Sequence, residues 1–130
     1  MIEFHLDTHS GVVPYLQIVQ QVKQALRLGL LEVGDQLPTV REVIAQITIN
    51  PNTVFKAYRE LEREGLISSR PGQGTFVQRT LASTSLASHA ALRHSLVRWL
   101  QSAYEAGLDA ESVLALFMST FQDTQKEETA

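Results

Sequence analysis

The chain has no cysteine, which excludes a disulfide scaffold and any thiolate zinc site and suits a reducing compartment. No apolar run approaches the ~20 residues a spanning helix needs, and the N-terminus lacks the basic start and apolar core of a signal peptide. The expectation is a cytoplasmic protein with no membrane partner. Catalytic patterns are equally scarce. The serines cluster within residues 83–88, with no Gly-x-Ser-x-Gly turn and no triad-like grouping. His5 and His9 fall in a predicted strand and turn, and His89 and His94 have no carboxylates at ligand spacing. The reading is therefore a non-enzyme with no catalytic residues, no metal and no cofactor.

What remains is ordinary globular material. Apolar residues make up 44% and charged residues 19% of 130 residues, enough for one domain and a small appendage. The formal net charge is −3, but it is unevenly placed. Residues 12–80 carry eight basic and six acidic groups, whereas 81–130 carry three basic and six acidic. A polyanion partner is to be sought in the middle of the chain.

Residues 1–7 alternate apolar and polar, the period of a half-buried strand, and Thr8–Gly11 reads as a turn. From Pro14 the period becomes helical, with Tyr15, Ile18, Val19, Val22 and Leu26 on one face. Thr39-Val40-Arg41-Glu42 is a capping box opening a short helix whose buried stripe is Val40, Val43, Ile44 and Ile47. Asn50-Pro51 opens a third helix with a cap residue and a proline at the first helical position, and Gly65 ends it. Two β-prone runs around Arg70-Pro71-Gly72-Gln73-Gly74 form a hairpin. The predicted fold is mainly α with a small β wing: a winged helix-turn-helix over 1–79, including the N-terminal strand and turn at 1–10. A linker or helix start follows at 80–89, then a short two-helix dimerisation region at 90–122 and a polar tail at 123–130.

Advancing ~100° per residue along the third helix puts Val54, Ala57, Tyr58 and Leu61 in one sector and Asn52, Lys56, Arg59 and Arg63 in the opposite one. One amide and three cations on an outward stripe suit a helix in the major groove, where Arg pairs with guanine, the amide with adenine and Lys with phosphate or guanine. Such a stripe is also the commonest form of a merely solvated face, and Glu60, Glu62 and Glu64 interleave with it. The capped helix start and the thin wing tip, with Arg70, Gly72 and Gln73, tip the reading toward DNA.

Pro14-Tyr15-Leu16-Gln17-Ile18, Gly34-Asp35-Gln36-Leu37-Pro38-Thr39-Val40-Arg41-Glu42, Asn50-Pro51-Asn52-Thr53-Val54, Tyr58 to Ile67 and Arg70 to Val77 together resemble the DNA-binding domain of GntR-type bacterial transcription regulators. The short helical remainder resembles that of the YtrA-like subfamily. The resemblance implies a homodimer that binds a pseudo-palindromic double-stranded DNA operator, usually as a repressor. It matches Arg41 to an arginine reaching guanine or a phosphate, Asn50, Asn52 and Thr53 to polar positions opening the recognition helix, and Gly72 to the wing tip. Where many relatives carry arginine this chain has Phe55, at the border of the two sectors.

The last two predicted helices carry more large apolar residues than one seam can hide: Leu92, Leu96, Trp99, Leu100 and Tyr104, then Val113, Leu114, Phe117 and Phe121. Dimerisation is the simplest use of that surface. A rival from another class is a winged-helix adaptor that binds protein instead of DNA. No small-molecule effector is identified by the residues.

Overall fold

In the computed structural model of the chain, residues 1–82 and 86–129 are described. Two compact units divide it, Met1–Leu86 and Ala87–Ala130.

The first unit contains α1 (Pro14–Arg27), β1 (Gln36–Leu37), α2 (Val40–Gln46), α3 (Pro51–Arg63), β2 (Ile67–Arg70) and β3 (Gly74–Val77). The strands form one antiparallel sheet in the order β1-β3-β2, with Gln36 opposite Phe76 and Arg70 opposite Gly74. One apolar core joins Ile18, Val22 and Leu26 of α1, Val43 of α2, Val54 and Leu61 of α3, and Leu37, Ile67 and Val77 of the sheet. The helices start where their caps dictate. The Thr39 hydroxyl accepts from the Glu42 amide while Glu42 accepts from the Thr39 amide, so both arms of the capping box are made. Inside the core the Tyr58 hydroxyl donates to the Pro38 carbonyl at 2.6 Å, tying α3 to the start of α2. Burial raises the phenol's pKa, and the Glu42 carboxylate adds to the shift.

The structure departs from the sequence expectation at three places in this unit. Residues 1–7 are not a strand. Their alternation is a burial pattern, with Phe4 in the core and Ile2 packed against it, but the backbone partners are side chains. The Gln21 amide accepts from the His5 N–H and donates to the His5 carbonyl. Gln17 treats Asp7 the same way and also donates to the Val12 carbonyl. Two glutamines one turn apart on α1 thus stand in for a neighbouring strand. Second, the wing has a third strand, β1. Third, Ile44 is exposed, because a seven-residue helix offers the core little more than one face.

The second unit is a helical hairpin, α4 (Leu86–Glu105) and α5 (Ala110–Thr129). The two helices reverse at Gly107, whose φ of +93° suits glycine. The Asp109 carboxylate accepts from the Ser112 amide at 2.8 Å and caps α5. α4 starts inside the segment read as a linker or helix start, whereas α5 runs on through the segment read as a polar tail. Of the segment read as a linker, Leu81 packs against the first unit's core, and residues 83–85 lie outside the described residues. No helix among the described residues is long and apolar enough to cross a membrane.

Candidate nucleic-acid interface

α3 presents the two sectors that its sequence prescribes. Val54, Ala57, Tyr58 and Leu61 are buried, and Asn52, Lys56, Arg59 and Arg63 are exposed. Phe55, at the border, is 50% exposed. The helix start is tightly organised: Asn50 Oδ1 accepts from the Asn52 amide at 2.8 Å, and the Thr53 amide donates to the Asn50 carbonyl at 2.9 Å. Asn50 therefore turns its side-chain oxygen to the cap, which leaves its amide N–H groups to face a ligand.

The interleaved glutamates have structural work. Glu60 pairs with Arg63 at 2.6 Å, Glu62 accepts from the Ser69 amide on β2, and Glu64 pairs with Lys23 of α1 at 2.9 Å. The Glu60 contact raises the Arg63 pKa further and offsets part of its positive field. Lys56 lies over the Tyr15 ring, 4.1 Å from its centroid. Arg59 and Arg41 have no hydrogen bond or ion pair among the described residues. The outward face of α3 thus holds one uncommitted guanidinium, Arg59, and one ammonium with no carboxylate partner, and α2 adds the uncommitted guanidinium of Arg41.

The wing turn places Arg70, Pro71, Gly72 and Gln73 in the open. Gly72 has φ +74°, and the Gln73 amide donates back to the Arg70 carbonyl at 3.0 Å, closing the turn. At Gly74, with φ +128°, a Cβ would stand 2.5 Å from the Gln36 side-chain nitrogen. That close approach lets Gln36 of β1 reach the Gln73 carbonyl at 3.4 Å and brace the turn from below. The Arg70 guanidinium stacks on Phe76, 4.6 Å from the ring centroid. Thr39, at the start of α2, and the wing residues Ser69, Arg70 and Gly72 line one open hollow, so α2 and the wing share a side of the unit.

Gln36, Glu62, Tyr15 and Phe76 take parts at this site that the sequence alone does not assign. Their roles arise from contacts between elements far apart in sequence. The one advance signal was a run of three glutamates on alternate positions of a helix otherwise presenting cations. No group of three or more His, Asp or Glu that could hold a metal occurs among the described residues.

In the second unit Val113 is 4% exposed and buried with Ala103. Of the residues read as a dimerisation surface, Val113 is thus withdrawn into the hairpin's own seam. Leu92, Leu96, Trp99, Tyr104, Leu114, Phe117 and Phe121 are exposed, and Leu100 is half-buried. The Phe117 and Phe121 rings stack at 6.0 Å, and with Leu96 and Trp99 they line an apolar groove.

Three helices closed by a small antiparallel sheet, a capped second helix of the pair with an outward polar face, and a glycine-turned wing define a winged helix-turn-helix protein. Residues 14–77 match the bacterial regulatory proteins of the gntR family. The chain is 38% identical over 109 residues to the HTH-type transcriptional repressor YtrA of Bacillus subtilis, covering 83% of this chain and 84% of that one. Two solved structures are similar in shape. A transcriptional antiterminator from Listeria monocytogenes EGD-e aligns over 94% of this chain and 92% of its own, with TM-score 0.59 and 33% identity. A transcriptional regulator from Oenococcus oeni aligns over 91% and 99%, with TM-score 0.51 and 34% identity. The chain belongs to the GntR family of bacterial regulatory proteins, and it is a transcriptional regulator rather than an enzyme.

Proposed function

We propose that two copies pair through the exposed faces of α4 and α5 and bind a pseudo-palindromic DNA operator, repressing transcription in the cytoplasm by occupying it. α3 enters the major groove, where Arg59 pairs with guanine and Asn52 with adenine, and Lys56 takes phosphate or guanine. Thr53 and the Asn50 amide N–H groups face the backbone beside the helix N-terminus. Arg41 reaches guanine or phosphate from α2. Arg63, half-neutralised by Glu60, adds field more than selectivity. Gly72 lets the wing approach closely, with Arg70 and Gln73 on the backbone or in the minor groove.

The observation that carries this reading is the face of α3. Its cations point outward, and the glutamates that would repel phosphate engage Arg63, Ser69 and Lys23. A winged-helix adaptor that binds protein instead of DNA would be favoured by free acids on that face and by the exposed Phe55. With the acids engaged, Phe55 has a simpler use against a thymine methyl. Repression is the activity named for the similar YtrA of Bacillus subtilis. Pairing rests on the apolar surface that a two-helix hairpin leaves uncovered.

The test is selection of duplexes from a random-sequence pool by the full chain, followed by sedimentation of the recovered complex. The expected product is an inverted repeat with half-sites about 10 base pairs apart, or a multiple of that, carrying two chains per duplex. Absence of any enriched sequence would remove the DNA reading, and one chain per duplex would remove the pairing.

A further inference from the structure

The structure assigns Tyr15, in the first turn of α1, a part in DNA recognition: we infer that its ring is the pedestal that holds the Lys56 ammonium in place on the reading face of α3. Tyr15 is then a positioning residue, acting through Lys56. The inference rests on the proposed binding of DNA by that face.

The Lys56 ammonium lies 4.1 Å from the Tyr15 ring centroid, well within the ~6 Å over which a cation is attracted to a ring face. The two partners are unequal in freedom. Tyr15 follows Pro14, is half-buried and packs against the core of the first unit, whereas a lysine stem is flexible. The ring therefore fixes the lysine and not the reverse.

The usual competitor for Lys56 is a carboxylate one turn on, and Glu60 stands there. Glu60 is bound to Arg63 at 2.6 Å instead, while Glu64 is bound to Lys23. An aromatic partner differs from a carboxylate in one decisive respect. It orients the ammonium without neutralising it, so the full charge stays available to a phosphate or a guanine edge. Part of the ordering that DNA binding demands is then complete in the free protein.

The experiment combines Tyr15→Leu and Tyr15→Phe with Lys56 or Lys56→Met, using as probe a duplex enriched by the wild-type chain from a random-sequence pool. Tyr15→Leu is expected to weaken binding about two- to fivefold when Lys56 is present, the range of an exposed cation–ring contact. It has little effect in the Lys56→Met background, and Tyr15→Phe, which keeps the ring, binds like wild type. In the free protein the Lys56 ε-methylene protons resonate upfield in wild type and Tyr15→Phe, and lose that ring shift in Tyr15→Leu.

Equal weakening by Tyr15→Leu in both lysine backgrounds would overturn the inference, because Tyr15 would then act only through the fold. So would a Tyr15→Phe defect as large as that of Tyr15→Leu, which would give the role to the hydroxyl. If Lys56→Met alone leaves affinity unchanged, the inference falls with the reading beneath it. Persistence of the ring shift in that case places the fault in the DNA role of Lys56 and not in the contact.

Discussion

Asn50 sits where structure and recognition meet, and Asn50→Ala separates them. α3 begins with a proline, so its first turn has few N–H groups to satisfy. The Thr53 amide finds the Asn50 carbonyl, and the Asn52 amide has the Asn50 side chain at 2.8 Å. Alanine removes that single side-chain acceptor. The site is exposed, so water takes the vacated donor, and the loss is that of a cap rather than of a buried unsatisfied group. The expected destabilisation is about 1 kcal/mol. For a unit of this size it corresponds to a fall in Tm of about 4–8 °C. Asn50→Ser keeps an acceptor and is expected to recover most of that loss. Thermal unfolding followed by circular dichroism, with urea unfolding as a second measure, reads both variants. An Asn50→Ala protein as stable as wild type, or an Asn50→Ser protein as unstable as Asn50→Ala, would refute the cap as the residue's structural role.

Gly74→Ala forces a side chain into φ +128° and onto the Gln36 amide. It is expected to destabilise the first unit by about 1–3 kcal/mol, and because the strain lies mainly in the backbone, adding Gln36→Ala should not restore stability; full rescue in urea unfolding would contradict this. Asp109 accepts hydrogen bonds from the Ser112 side chain and amide, which lower its carboxyl pKa below the usual value. Its stabilising effect is therefore present above the unfolded-state pKa of about 3.9 and is lost as pH falls through the lower folded value; an NMR titration placing Asp109 at or above the usual value would refute it. Phe117→Glu puts a charge into the apolar groove beside Leu96 and Trp99, and is expected to yield monomers with much weaker operator binding; sedimentation as an intact dimer would contradict the pairing surface.

Much of the first unit was legible because its signals are local. The capping box at Thr39, the Asn50-Pro51 start and the 3.6-residue period of α3 act within one or two turns, and each is realised in the structure. Elements that depend on distant partners were not. β1 is two residues long and exists only because Gln36 and Leu37 pair with Phe76 and Thr75 of β3. The first seven residues have a strand's alternation, but whether their backbone meets a strand or two glutamine side chains is decided by α1. The end of α5 was misplaced because apolar spacing stops near Phe121, while Gln122–Thr129 has no glycine or proline to end the helix and contains good helix formers. On the candidate interface the directions of the side chains follow from the helical period. Which charges stay free does not, since Glu60, Glu62 and Glu64 find partners on three different elements.

If the outward face of α3 reads base edges, Arg59→Ala is the substitution that exposes it. Its affinity is to be compared with wild type on the selected operator and on duplexes altered one base pair at a time, at fixed salt. Binding is expected to weaken by about 1–3 kcal/mol, with preference relaxed at one position in each half-site. Unchanged affinity, or a uniform loss that leaves every base preference intact, would contradict it.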